Sequence, residues 1–454
     1  MSAQNTEQIN VSTTHAGGRI YHGWVIVVVC LIVMTLAAPL LASFSIFYVA
    51  IMKDLQWSRE ETAIAVAIFL IVNGLAGPVA GSLIDRYKAR WVMPIGTLVT
   101  AIALVWMSRM TTKWEFYLAY GVLASVGSSL IHLVTFSTIV SNWFMRHRGL
   151  AIGAVTAGQG LGQAAIPLVQ YLIDTTGWRG AYLAIGLTIF VIPTVLILLF
   201  LHSRPEEKGL SLADERLPWE ARPLQMTATD AQSDKLYEPG FVIVDQTWAA
   251  TDWTVGRALR TSRFWILTLL ITLFGAGYMM VNVQLVAYLE DKGYSPMFAA
   301  SAVAWQGVVY IFGRFLGGAL SDRIGREKAI TWSAVIFVLF LLLLYAAGVM
   351  SSPLLVYASV TLYGIGGAMP LPALMAATGD IFQGRHLGAI IGVLMLGGFV
   401  GGGLGAWLGG KLFDATHSYN SHFVLTVLVT IASAVLICQA RPSRVRAIRS
   451  AAAV

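Results

Sequence analysis

A chain of 454 residues with 57% apolar residues, 12% charged residues and 44 glycines is not composed like a water-soluble globule. Its formal charge of +7 suggests nucleic acid at first sight, but the basic residues lie in short clusters between apolar runs, and no basic domain exists to bind it. Cys30 and Cys438 each sit inside an apolar run and fit neither a metal spacing nor a disulfide framework.

Residues 1–19 are polar and lack the basic flank and cleavage site of a signal peptide. The first apolar run, from about Trp24 to Ile51, is too long for a signal sequence and reads as a first spanning helix. Twelve runs have the length of about 20 residues that a helix needs to cross a bilayer core. In the first half they cover approximately 24–51, 61–84, 91–110, 115–140, 149–173 and 180–201. In the second half they cover 264–289, 297–320, 329–350, 353–377, 387–410 and 422–440. Between them, residues 202–263 are polar and rich in Pro, Asp, Glu and Arg, the composition of a linker with room for short surface helices. The expected fold class is an all-α polytopic membrane protein, with twelve transmembrane helices in two pseudo-symmetric six-helix bundles. The expected units are 1–201, the linker 202–263, and 264–454 with a basic tail.

Placing both termini and the linker in the cytoplasm puts 22 of the 30 Lys and Arg residues inside and seven outside, as the positive-inside rule requires. The remaining one is Arg314, in the eighth run. Apart from Glu61 and Glu115 at the first positions of their runs and Arg109 next to the end of another, no charged residue but Arg314 falls within any run, so Arg314 is the one formal charge expected at membrane depth, with His132 in the fourth run the one histidine at comparable depth. A cation there costs several kcal/mol and ordinarily faces a cavity or a partner.

The two halves repeat. Gly81-Ser-Leu-Ile-Asp85-Arg86 after the second run matches Gly318-Ala-Leu-Ser-Asp322-Arg323 after the eighth, 237 residues later. A looser echo links Arg148-Gly-Leu-Ala-Ile-Gly153 with His386-Leu-Gly-Ala-Ile-Ile-Gly392. Repeated halves in a polytopic chain point to alternating access around a site near the midplane.

The pattern G-x-L-x-D-R at both places resembles the major facilitator superfamily. The second copy is complete through Gly325-Arg326, whereas the first has Lys88 where the pattern usually has glycine. Asn142-Trp143-Phe144-Met-Arg146-His-Arg148-Gly-Leu150-Ala151-Ile-Gly153, running on through Ala157-Gly158 to Gly162, is similar to the signature of monocarboxylate porters and their oxalate/formate-exchanger relatives. Tyr21-His22-Gly23-Trp24 and Gly313-Arg314 are similar to that group as well. The resemblance implies secondary transport of a small organic carboxylate. It also implies that the Asp85-Arg86 and Asp322-Arg323-Arg326 turns form ion pairs between the halves, closing a cytoplasmic gate; topology-setting charge is the other use of the same residues. Animal-type porters of the group place an aspartate one turn before this arginine, where this chain has Tyr310, and a lysine in the first span, which is missing. The oxalate exchanger has a second cation in the eleventh span, where this chain reads Val393-Leu394-Met395-Leu396-Gly397. One cation suits one carboxylate better than two.

Arg314 is therefore the expected carboxylate receptor, through charge-assisted and bidentate hydrogen bonds. The alternative is snorkelling to the interface, but at 1.5 Å per residue Arg314 lies about 12 Å along its helix from Asp322. His132 is the candidate for proton coupling and substrate contact, or else a neutral imidazole bonded to a neighbouring helix. Tyr310, one turn before Arg314, can orient the guanidinium or reach a second carboxylate oxygen. Gln159 and Gln163 on one face of the fifth run, and Tyr278, Asn282 and Gln284 in the seventh, are expected to line the site or to hold helices together. Ten glycines between Gly388 and Gly410 are packing residues, and Pro39, Pro167, Pro370 and Pro372 are expected to break helices locally.

The sequence shows no P-loop, zinc spacing or nucleophile constellation, so ATP-driven transport, enzymatic catalysis, a metal and a cofactor are not expected. The expectation is a transporter of a small organic monocarboxylate in the cell inner membrane, with a proton as candidate co-substrate. The bilayer is its environment, nucleic acid is no partner, and a monomer suffices. Two rivals stay open: an organic anion exchanger of the oxalate/formate type, and a transporter-like carboxylate receptor suggested by the long linker.

Overall fold

Proline decides where the long apolar runs break. The computed structural model describes residues 21–131, 133–144, 148–202, 205–208, 241–384 and 386–448. Helix α1 (His22–Ala37) ends before Pro39, which opens the short helix Pro39–Ala42, and α2 (Phe44–Leu55) completes the first crossing. Beyond α3 (Arg59–Tyr87), α4 (Ala89–Met107) and α5 (Leu133–Trp143), helix α6 (Arg148–Ala164) stops ahead of Pro167, which sits in the first turn of α7 (Ile166–Phe200). The second half runs through α8 (Ser262–Asp291), α9 (Pro296–Ile324), α10 (Arg326–Met350) and α11 (Pro353–Ala368). Pro370 then starts α12 (Pro370–Ile381), followed by α13 (Leu387–Thr416) and α14 (Asn420–Ala440). A proline has no N–H to give and clashes with the preceding turn, so it is tolerated in the first turn of each new helix.

Among the described residues, ten segments are long and apolar enough to cross a membrane, against twelve expected. One of them, Ala151–Phe200, has 50 residues, which at 1.5 Å each is about 75 Å and more than twice a bilayer core. It is broken at Gly177, where φ is +72°, between the two runs expected there. The expected run at 115–140 is not among the ten. There the helix Lys113–Phe116 widens into a π-helical stretch, Tyr117–Ala124, and narrows again at Ser125–Ser129 before α5.

The two signature stretches of the first half meet in space. Tyr21 donates its hydroxyl to the Trp143 carbonyl at 2.7 Å and packs edge-on against Phe144, and Trp24 meets the same Phe144 ring edge-on, ring centres 4.9 Å apart. A Cβ at Gly23 would come within 2.9 Å of the Phe144 ring and closer still to Tyr21, which accounts for glycine between the two aromatics.

One departure from an all-helical chain lies at the end of the linker. Strand β1 (Phe241–Ile243) pairs antiparallel with β2 (Arg446–Ile448), tying the linker to the tail. Trp248 donates its ring N–H to the Ile381 carbonyl at 2.8 Å, and Trp253 packs edge-on to Phe382. Asp245 caps the short helix Gln246–Ala249; the Trp248 N–H, and then the Thr247 hydroxyl, hold its carboxyl below the usual carboxylate range. This end of the linker packs on the second half.

The halves meet as a wedge. Along α3 and α13, a Cβ at Gly410 would strike the Arg59 backbone at 2.6 Å, one at Gly403 the Ala67 carbonyl at 2.9 Å, and one at Gly74 the Phe399 side chain at 2.9 Å. Past that point the helices part: among the described residues, nothing lies within 4 Å of a Cβ at Gly77 and Gly81 on α3 or at Gly388 and Gly392 on α13. The sealed end carries the starts of α3 and α14 and is termed here the distal face. The open end carries the two repeated turns and is termed the linker face.

Candidate functional site

Small residues bring α6 and α9, one from each half, into backbone contact. A Cβ at Gly160 would lie 2.3 Å from Ile311, and one at Gly307 would lie 2.5 Å from Gln163. Toward the linker face these helices diverge around a cavity of about 230 Å³ lined by Thr156, Gln159, Tyr310, Arg314, Phe315 and Pro372, among others. Pro372 reaches the cavity because α11 breaks into α12 just before it.

Arg314 is the cation of this cavity. Its Nη2 donates to the Tyr310 hydroxyl at 3.4 Å, and its guanidinium carbon lies 5.0 Å from the centre of the Tyr310 ring. Its Nε is buried with no hydrogen-bond partner, and among the described residues no carboxylate pairs with it. A guanidinium has five N–H donors in a planar fork. With one weak bond made, the fork is available to an oxyanion. Tyr310 also meets Tyr278, ring centres 6.4 Å apart, and Tyr278 packs on Tyr363 at 5.2 Å. Together they form an aromatic wall behind the arginine.

The expected site residues divide. Gln159, Tyr310 and Arg314 line the cavity, with Tyr278 one layer behind. Asn282 lies against the Tyr363 hydroxyl, away from the lining. Gln163 faces the neighbouring half: its Nε2 donates to Gln306 Oε1 at 2.7 Å and to the Val303 carbonyl at 3.3 Å. Gln284 does not belong to the site. It is buried near the distal face, accepting from Arg59 Nη1 at 3.2 Å and donating to the Tyr48 hydroxyl at 2.9 Å. The two-residue spacing from Asn282 turns Gln284 about 200° around its helix, so one face cannot serve both. His132 and the side chain of Asp85 lie outside the described residues.

Among the described residues, the ion pairs of the second repeated turn stay within its own half. Arg326 pairs with Asp322 and, at 2.9 Å, with Asp380, all within the second half, and also donates to Ser321 Oγ at 2.7 Å. Arg326 is a second buried guanidinium, in the turn at the linker face rather than within a run; it has acidic partners, whereas Arg314 has none among the described residues. Arg323 and Arg86 are exposed, the latter 5.2 Å from the Tyr87 ring. Lys88 takes φ +65°, ψ 136°, close to the φ +100°, ψ 154° of Gly325 in the second copy, so the first turn keeps its shape without the glycine.

Ion pairs between the halves lie on the distal face instead, where the sequence reading placed none. Arg59 Nη2 meets Asp291 Oδ2 at 2.5 Å and Lys53 meets Glu290 at 2.5 Å. Asp414 of α13 accepts the backbone N–H groups of Arg59 at 3.2 Å and Glu60 at 2.7 Å, a carboxylate placed on the start of α3. Tyr419 donates to Asp291 at 2.7 Å and accepts from Arg59, and Trp407 donates to Glu60 at 2.9 Å. The acidic Asp414 near the end of an otherwise glycine-rich run was the available signal, but its partner is 355 residues away.

Two helical halves enclosing a polar cavity, sealed at one face and open at the other, make up the architecture of a secondary transporter. The family model of the Major Facilitator Superfamily matches residues 24–305 and 267–453, and the chain belongs to that superfamily. It is 28% identical over 408 residues to monocarboxylate transporter 13 of Bos taurus, covering 89% of this chain and 85% of that protein. To the uncharacterized MFS-type transporter YcxA of Bacillus subtilis it is 24% identical, covering 87% and 89%. Among solved structures, the D-xylose-proton symporter matches with a TM-score of 0.68 at 14% identity, covering 91% of this chain and 97% of that one.

Proposed function

We propose that the protein is a secondary active transporter of small organic monocarboxylates, working by alternating access and coupled to protons. The observation that carries the reading is Arg314: a buried guanidinium with an unpartnered Nε, facing a cavity between the halves and lacking an acidic partner among the described residues. A volume of about 230 Å³ falls below the roughly 300 Å³ at which pockets for drug-sized ligands begin, which favours a small anion. The names of the monocarboxylate transporter relatives support the same substrate class.

On this reading the carboxylate enters from the linker face and takes the free N–H groups of Arg314, with Tyr310 holding the guanidinium and Gln159 facing the substrate body. The twelve spans form two six-helix units, 1–201 and 264–454, with the linker 202–263, both termini and the linker face in the cytoplasm of a cell inner membrane. The wedge then stands open inward. The repeated turns at Asp85-Arg86 and Asp322-Arg323-Arg326 come together when it closes. His132, or the carboxylate itself, carries the proton.

A panel of carboxylates tested by thermal shift on the purified protein and on Arg314→Gln decides the central point. Stabilisation by monocarboxylates that disappears in Arg314→Gln is expected, and transport by the variant at near-normal rate would sink the reading. Exchange rather than symport is favoured by one observation: Tyr310 stands one turn before Arg314, where a proton-carrying acid would serve coupling. Liposomes distinguish the two, since symport follows an imposed proton gradient and collapses with uncoupler, whereas exchange requires carboxylate on the opposite side.

A further inference from the structure

On α6, Gln163 lies one turn past Gln159; on α9, Gln306 lies one turn before Tyr310 and two before Arg314. The helices run antiparallel, so both steps lead from the cavity toward the distal face. There the two amides meet across the halves, Gln163 Nε2 donating to Gln306 Oε1 at 2.7 Å, beside the backbone contact at Gly160 and Gly307. Gln306 is fully buried, and its own Nε2 reaches the Tyr278 hydroxyl at 3.4 Å. We propose that the Gln163–Gln306 hydrogen bond is the barrier closing the distal end of the Arg314 cavity, a positioning pair that parts when the halves exchange faces.

Three features fit a bond that must open repeatedly. First, the bridge is neutral: a carboxylate there would compete for Arg314, and a cation would offer the anion a second receptor. Second, when Gln163 leaves, Gln306 keeps its Nε2 bond to Tyr278 of its own half, and the Oε1 that accepted from Gln163 turns to the water admitted by the opening, so the amide is not left buried without partners. Third, Tyr278 packs on Tyr310, which holds Arg314. Movement of the arginine onto a bound anion therefore reaches the bridge through two ring contacts and one hydrogen bond. The passage of a carboxylate rests on the function proposed above; the closure between the halves does not.

The test measures distances across the distal face without substrate. Spin labels on cysteines at Trp114 and Ala415, both exposed there and one in each half, report its opening after Cys30 and Cys438 are replaced by Ser. Gln306→Ala, Gln163→Ala and the double carboxylate Gln163→Glu/Gln306→Glu should raise the long-distance population at least tenfold over the parent. The charge-paired Gln163→Lys/Gln306→Glu, which retains a bridge, should lower it. If protein that elutes as a single species shows the same distance distribution in all four, the proposal is overturned. Loss of folding in the Ala or double-Glu variants leaves the charge-paired variant to decide. Arg314-dependent carboxylate binding with unmoved distances overturns the barrier alone; shifted distances without any Arg314 dependence overturn the carboxylate reading alone.

Discussion

Arg59 and Asp291, 232 residues apart and in different halves, form an ion pair at 2.5 Å that closes the distal face. The guanidinium also lies 3.6 Å from the centre of the Phe413 ring, so one side chain holds both α8 and α13. Arg59→Gln removes the charge and leaves Asp291 with the Tyr419 hydroxyl but without its cation. Because Asp291 is 44% exposed, the expected loss to the closed state is about 2 kcal/mol, below the figure for a fully buried pair. That is roughly a 30-fold change in the ratio of the two states, measurable by the same distal-face distance labels.

Tyr310 offers a finer probe of the cavity. Tyr310→Phe keeps the ring under the Arg314 guanidinium and deletes the hydroxyl that accepts from Nη2. The bond has a charged donor but is long at 3.4 Å, so it is worth about 1 kcal/mol net, and carboxylate affinity is expected to fall roughly fivefold by equilibrium titration. Arg314→Lys keeps the charge but loses the planar fork, and affinity should fall further than in Tyr310→Phe but less than in Arg314→Gln.

Lys88 occupies a backbone conformation that its twin position gives to Gly325. A side chain at φ +65°, ψ 136° is held there by the turn at a cost of order 1–3 kcal/mol. Lys88→Gly should therefore raise stability by about 1 kcal/mol, the relieved strain being partly offset by the greater freedom of glycine in the unfolded chain. Thermal unfolding in detergent reads this directly, and a neutral or negative shift would contradict it.

Glycines on the two sides of the wedge should respond oppositely. A Cβ at Gly405 would lie 2.0 Å from the Ala276 carbonyl, and one at Gly401 equally close to that of Thr272. Gly405→Ala is expected to cost about 2 kcal/mol by pushing α13 off α8, and to lower the yield of folded protein. Gly77→Ala, with open space around it, should leave folding unchanged or improve it slightly through helix propensity.

What the sequence made legible was whatever is local or periodic. The spans follow from runs of apolar residues, the breaks from Pro39, Pro167 and Pro370, and the cation of the cavity from the absence of acids around Arg314. The repeated turn was readable as a pattern, including Lys88 as its exception, but the shape of that exception was not. Contacts between the halves stayed hidden. Gln284 reads as a site residue until Arg59 is seen beside it, 225 residues away, and Gln306 reads as an ordinary polar residue until Gln163 meets it. Choosing between such partners requires knowing which helices touch and at what height. Linear spacing specifies neither.

The open glycines carry one more consequence. A Cβ at Gly77, Gly81, Gly388 or Gly392 would meet nothing within 4 Å among the described residues, so a larger side chain would fit at each. Their smallness serves no contact present here, whereas each glycine costs its helix about 1 kcal/mol relative to alanine. It becomes useful only if these surfaces press together in another arrangement, as Gly403 and Gly410 do at the opposite end. On the alternating access proposed above, the amino-acid sequence records two shapes at once, and the residues that look superfluous in one are those shaped by the other. A bulky residue at Gly77 or Gly392 would then act as a doorstop, leaving the fold intact and the molecule held in the shape described.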